Sequence, residues 1–209
     1  MALAPRFAGH RAGNPEAANV LEAYLDFVCP YSAKIYGELI ERVLPWVEAT
    51  YPGKVQFIFR HQIQPWHPQS TFVHEASLAV ERLSEDSFFP FATELFRRQK
   101  DYFDESIADR SRHEIYGMLS QHLDDISEGG ATLRGKREEF LSLLRNSQTE
   151  PRNIGNRLTT DLKWHIRFAR QQGIHVSPTV LWNGLVENKV SSSWSLDDWK
   201  EWFHSYLQS

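Results

Sequence analysis

A thiol is the most reactive side chain in this chain, and its 209 residues contain one, Cys29. It lies in Asp26-Phe27-Val28-Cys29-Pro30-Tyr31-Ser32, where an apolar run gives way to residues at helical spacing. A cysteine at a helix start faces unpaired backbone N–H groups and the positive end of the helix dipole. Both favour the thiolate, the form that attacks disulfides and soft electrophiles. Pro30 suits the first helical turn, where a missing N–H costs no hydrogen bond. The alternative is that Cys29 is a small buried hydrophobe, as most lone intracellular cysteines are. Asp26 stands three residues earlier, on a strand that should be buried. Its carboxylate could shuttle protons to the thiol or serve as a structural hydrogen-bond acceptor, and both readings stand.

The elements around Cys29 follow from hydrophobic period. Val20 to Val28 is apolar, β-branched and aromatic apart from Glu22 and Asp26, as in a strand covered on both faces. From Ser32 the period becomes helical through Ile35, Tyr36, Leu39, Ile40, Val43 and Leu44, and Pro45 should bend or end that helix. Val55 to Ile63 reads as a second strand, so the unit is a right-handed parallel crossover. From about Ser70 to about Glu150 there are helical faces and no strand signal, with Ser111 and Glu114 spaced as a capping box. A helix through Leu158, Leu162, Ile166 and Ala169 should close at Gly173. Thr179 to Trp182, Asn183-Gly184 and Leu185 to Val190 read as a hairpin, and Ser195 with Asp198 caps a last helix. Trp199 and Trp202 on that helix are expected in the core. The first nineteen or so residues read as a polar, loosely held start.

Composition excludes several classes of function. A chain 41% hydrophobic and 13% aromatic is globular. A net charge of −4, with both signs interleaved, supplies no basic stripe for a phosphate backbone, so nucleic acid is not an expected partner. No apolar run is long enough for a signal peptide or a membrane span, and one cysteine cannot close an internal disulfide. These features lead us to expect a cytoplasmic protein without a membrane partner.

Two stretches carry a family resemblance. Asp26-Phe27-Val28-Cys29-Pro30-Tyr31-Ser32 is similar to the Asp-x-x-Cys-Pro-x-Cys active site of the DsbA-like thioredoxin-fold superfamily, with Ser32 where the second cysteine would stand. Gly173-Ile174-His175-Val176-Ser177-Pro178-Thr179, followed by Asn183-Gly184, is similar to the segment that carries a cis-proline and a hairpin in those proteins. The resemblance implies an α/β, thioredoxin-like fold with an inserted helical subdomain. Residues 1–209 would form one such domain, with the insertion at about 66–150. Cys-Pro-Tyr-Ser also differs by one residue from the Ser-Pro-Tyr-Ser of kappa-class glutathione transferases and 2-hydroxychromene-2-carboxylate isomerases, which resemble DsbA in fold and use glutathione.

On this resemblance Cys29 is the nucleophile, Ser32 and Asp26 complete the catalytic set, and Pro30 and Tyr31 line the site. With Ser177-Pro178 cis, backbone groups of Val176 and Ser177 beside Pro178 could pair with a bound peptide thiol. The parallel crossover brings Arg60, His61, Trp66 and His67 to the same edge. His61 or His67 could assist the thiolate, and Lys34 or Arg60 could meet a ligand carboxylate. His61, His67 and His74 are not spaced like a zinc motif, so no metal and no tightly bound cofactor is expected, with glutathione as co-substrate. Three functions fit: a monothiol oxidoreductase forming mixed disulfides with glutathione or protein thiols, a kappa-like transferase or isomerase, and a non-catalytic binding module.

Overall fold

A computed structural model describes residues 8–126 and 133–208. Its centre is the strand–helix–strand unit. β2 (Asn19–Leu25) and β3 (Val55–His61) pair in parallel, with Leu21 opposite Phe57 and Leu25 opposite His61. Both strands are buried almost throughout, which is why both read as apolar runs. The crossover comprises α1 (Pro30–Glu38), a π-helical segment Leu39–Val43 and α2 (Leu44–Thr50). Pro45 thus bends the helix without ending it. The widened turn directly before it accommodates a residue that has no N–H for the carbonyl four places back.

β4 (Thr179–Trp182) runs antiparallel to β2 and pairs with β5 (Leu185–Val186). The hairpin is the expected one but shorter, ending at Val186 and not Val190. Asn183 and Gly184 both have positive φ, at 50° and 84°, as a two-residue hairpin turn requires. The polar start holds a surprise. His10–Gly13 is a strand, β1, antiparallel to β3, so the sheet order is β1-β3-β2-β4-β5. Four residues reading His-Arg-Ala-Gly carry no periodic signal, and only tertiary pairing makes them a strand. Gly9 permits the approach: a Cβ there would lie 2.6 Å from Ile58 Cγ2 and 3.1 Å from the Phe59 carbonyl.

Between β3 and the later strands lie α3 (Ser70–Leu83), α4 (Phe88–Arg97), the short α5 (Asp104–Ile107), α6 (Arg112–Leu119) and α7 (Arg137–Leu144). Residues 127–132 of the expected insertion lie outside the described residues. The Ser111–Glu114 capping box is formed at the start of α6. These helices join the sheet in one core, in which Phe27 meets Phe59 and Phe96 at ring-centroid distances of 5.2 and 5.1 Å. α8 (Thr159–Gln171) stops before Gly173, whose φ of +71° is the left-handed cap. α9 (Leu196–Leu207) buries Trp199, Trp202 and Phe203 beside Trp182. Among the described residues no helix is long and apolar enough to cross a membrane.

Candidate active site

β2 stops at Leu25, three residues before the end of the apolar run, because the next residue reaches sideways for partners. The Asp26 carboxylate is fully buried and accepts four hydrogen bonds. They come from the Val28 N–H at 3.1 Å, the Ser70 hydroxyl at 2.8 Å, the Gln64 N–H at 3.1 Å and His67 Nδ1 at 2.9 Å. Burial alone would favour the neutral acid. Interaction with His74 and the hydrogen bonds from His67 and Val28 outweigh it and hold the Asp26 pKa below the usual carboxylate range. His74 Nε2 stands 3.6 Å away, beyond hydrogen-bond range, so the shorter contacts fix the geometry. Asp26 is therefore an anionic hub that ties the turn after β2 to the loop after β3 and to the first turn of α3.

That hub shapes the thiol loop. The Cys29 N–H bonds back to the Asp26 carbonyl at 3.1 Å, Cys29 occupies the N-cap of α1 in an extended conformation, and Pro30 opens the helix. Gln99, buried between α4 and α5, donates to the carbonyls of both Phe27 (2.7 Å) and Cys29 (3.0 Å). The inserted helices thus clamp the loop from one side. From the other comes the segment before β4: the Ser177–Pro178 bond is cis, and the Cys29 Sγ lies 3.6 Å from the Ser177 carbonyl oxygen, towards which an S–H can donate. The sulfur-bearing residue is 5% exposed, while Tyr31, Trp66 and Val176 are 65%, 58% and 53% exposed. A nearly covered thiol thus has large apolar side chains in the chain segments around it that a partner could cover.

The profile of the thioredoxin family matches residues 7–204. The chain belongs to that family. No curated protein matches it. Among solved structures, it is similar to a putative protein-disulfide isomerase from Pseudomonas syringae, at 25% identity over 94% of this chain and 98% of that one, with a TM-score of 0.71. BdbD from Bacillus subtilis superposes with a TM-score of 0.67 at 18% identity, covering 97% of this chain and 94% of its own. DsbA from Chlamydia trachomatis gives 0.60 at 14% identity, covering 95% and 93%. The thioredoxin-like fold with DsbA-like inserted helices agrees with these likenesses.

Within this thioredoxin-family frame the expected site residues separate into two groups. Cys29, Pro30, Tyr31, Val176, Ser177 and Pro178 come together at one place, with Asp26 and His67 directly beneath and beside the loop. Lys34 is exposed on α1, one turn beyond the cysteine. Three residues take other roles. Ser32 is fully buried, and its Oγ accepts the Asp26 N–H at 3.2 Å, so its hydroxyl holds the loop. Arg60 does not face a ligand: it is buried with Nε 2.6 Å from the Glu22 carboxylate and its guanidinium over the Phe168 ring. Both ring nitrogens of His61 are engaged in a cluster of imidazoles, with His10 and His74.

Gln64, Ser70 and Gln99 were not expected at the site, and His74 was weighed only as a metal ligand. His74 and Glu75 had a detectable signal, two polar residues inside the apolar face of α3; Glu75 is buried against Arg112 and the Tyr116 hydroxyl. Gln99 had none, because its partners are main-chain atoms some 70 positions away in sequence.

Proposed function

We propose that the protein is a monothiol oxidoreductase in which Cys29 forms a mixed disulfide with glutathione or a protein thiol. The observation that carries this is the placement of Sγ at the cap of α1, 3.6 Å from the carbonyl of the residue before the cis-proline, beside exposed Tyr31 and Val176. The thiolate attacks one sulfur of a disulfide. A new S–S bond forms to Cys29 and the other sulfur leaves as thiolate, taking up a proton from solvent. No second cysteine can resolve the adduct, so an external thiolate attacks it and regenerates Cys29, with no net change in the enzyme's oxidation state. A cytoplasmic setting, with glutathione at hand, would supply that thiol.

A short peptide thiol would lie along the segment before β4, where Val176 is exposed and Ser177 half-buried, with Lys34 as the cation for a carboxylate. Arg60 is committed to Glu22 and drops out of that role. A kappa-like transferase would hold the glutathione sulfur with Cys29 or Ser32. The Ser32 hydroxyl is engaged with Asp26, which leaves Cys29 for that role, so turnover without a mixed disulfide at Cys29 would mark the transferase. The test is intact mass after incubation with oxidised glutathione. One glutathionyl group should be gained and then removed by reduced glutathione, with Cys29→Ser unmodified. Absence of any adduct on the native protein would leave a binding module.

A further inference from the structure

Four histidines from four separate elements meet behind the thiol loop: His10 on β1, His61 at the end of β3, His74 on α3 and His165 on α8. Three of them form a row. His10 Nε2 faces His61 Nε2 at 2.6 Å, and His61 Nδ1 faces His74 Nδ1 at 2.6 Å. A carboxylate lies near each end: Glu81 Oε1 is 2.8 Å from His10 Nδ1, and Asp26 Oδ1 is 3.6 Å from His74 Nε2. His10, His61 and His74 are at most 4% exposed.

The row leaves two ring nitrogens unanswered. A neutral imidazole has one N–H and one lone pair, and a carboxylate has lone pairs alone. The two 2.6 Å contacts use one nitrogen of His10, both of His61 and one of His74, while His10 Nδ1 and His74 Nε2, buried beside Glu81 and Asp26, make no hydrogen bond.

A metal ion between His10 and His61 suits this row. His10 Nδ1–H would then face Glu81 and His61 Nδ1–H would donate to His74 Nδ1, the carboxylate–histidine–metal arrangement that orients metal ligands. His165 has no part in the row, yet it offers a nitrogen within 4.8 Å of the His10 and His61 ligand atoms. A three-coordinate histidine set accounts for it. Two nitrogens on one tetrahedral zinc-like ion stand about 3.4 Å apart at ordinary Zn–N lengths. The 2.6 Å pair must open and His165 close in by side-chain rotation. The negative charges of Glu81 and Asp26 balance a divalent ion, while the nearby Arg60 is neutralised by Glu22. A cavity of about 130 Å³, lined by His10, Glu81, Trp164 and His165 among others, gives access and room for a fourth ligand.

We propose that His10 Nε2, His61 Nε2 and a ring nitrogen of His165 bind one divalent transition-metal ion of the zinc class, with the fourth position open to the cavity. Neutral imidazoles suit such ions, and an open fourth position leaves room for water or a small ligand.

The test begins with the full chain stripped by a chelator and verified metal-free by elemental analysis. Titration with Co²⁺ should give tetrahedral d–d absorption saturating at one equivalent, bleached by Zn²⁺, with a rise in Tm on Zn²⁺ addition. His165→Ala, on a half-buried position, should weaken binding at least about 100-fold, and Glu81→Gln, which loses only the orienting carboxylate, about 10-fold. Cys29→Ser should bind as the native protein does. No Co²⁺ or Zn²⁺ uptake by the native chain would overturn the assignment, whatever the variants do. So would undiminished binding by a folded His165→Ala, or loss of the ion in Cys29→Ser, which would place it at the thiol.

Discussion

The thiol loop and the histidine row are both polar constructions set against the same central strands, yet they are built in opposite ways. The loop is contiguous: Asp26 to Ser32 supplies the hub, the nucleophile and the helix start, and one short segment, 176–178, faces it. The row takes His10 from β1, His61 from β3 and His74 from α3, with His165 of α8 beside it, and has no local signature. They differ in exposure as well. Tyr31, Trp66 and Val176 stand out into solvent around the loop, whereas His10, His61 and His74 are buried. A group that must meet a large partner has to sit on a turn at the surface, where neighbours in sequence are neighbours in space. Buried groups that meet no large partner can come from anywhere the core brings together.

The sharpest way to separate the two regions is Cys29→Ser. It should abolish glutathionyl transfer completely, while stability by urea unfolding changes by no more than about 1 kcal/mol, because one small side chain replaces another. Asp26 is where the regions touch, since it serves the loop directly and ends the histidine row. Asp26→Asn puts an amide NH₂ among donors that now point at lone pairs, so we expect about 3 kcal/mol of lost stability with the native thiol loop disordered. Its acid dependence has a definite sign. The folded pKa lies below the unfolded value of about 3.9, so the charged carboxylate stabilises the fold in full above that value, and the contribution is lost as pH falls through the folded pKa. Equilibrium unfolding across that acid window should therefore be steeper for the native chain than for the Asn variant.

The contrast also explains what could be read from the sequence. The crossover, the hairpin, the capping boxes and Cys29 at a helix start were legible because each is a signal within a dozen residues. The ends of elements were less so: β2 gives way at Asp26, where a carboxylate with four donors wins over an apolar run that continues to Val28. β1 was illegible because its residues have no period of their own and pair only once β3 exists. Arg60 was placed at the right edge of the sheet, but strand alternation turned its side chain towards Glu22 and Phe168, away from the thiol. A parallel-strand argument fixes which end of a strand a residue occupies, and register decides the face. The histidines were judged by spacing within the sequence, which carries no sign that His10, His61, His74 and His165 meet in space.

Gln99 sharpens the comparison from the side of the insertion, for it is the link by which the helices hold the reactive loop. Its amide donates to two carbonyls that have no other side-chain donor among the described hydrogen bonds. Gln99→Ala should cost about 2 kcal/mol, the loss of two buried hydrogen bonds offset in part by rearrangement. Faster amide exchange should appear at Val28 and Cys29, with the α6 capping box unaffected. If exchange in the loop stays as slow as in the native chain, the insertion does not support the thiol.

The smallest effect is also the one that decides between two chemistries. Ser32 takes the place of a second cysteine, and its hydroxyl oxygen accepts the Asp26 N–H at 3.2 Å inside the core. If that is its whole role, Ser32→Ala removes one acceptor from a buried N–H and lowers stability by about 1 kcal/mol. The rate of mixed-disulfide formation at Cys29 should then stay within about twofold of the native value, since a hydroxyl that does not meet the substrate contributes nothing specific to the transition state. A transferase in which Ser32 holds the glutathione sulfur predicts the reverse: little change in stability and a large loss of glutathione affinity. Measuring urea unfolding and glutathionylation rate on the same Ser32→Ala preparation separates the two. Stability loss with intact thiol chemistry assigns Ser32 to the scaffold, and intact stability with lost glutathione binding returns it to the site.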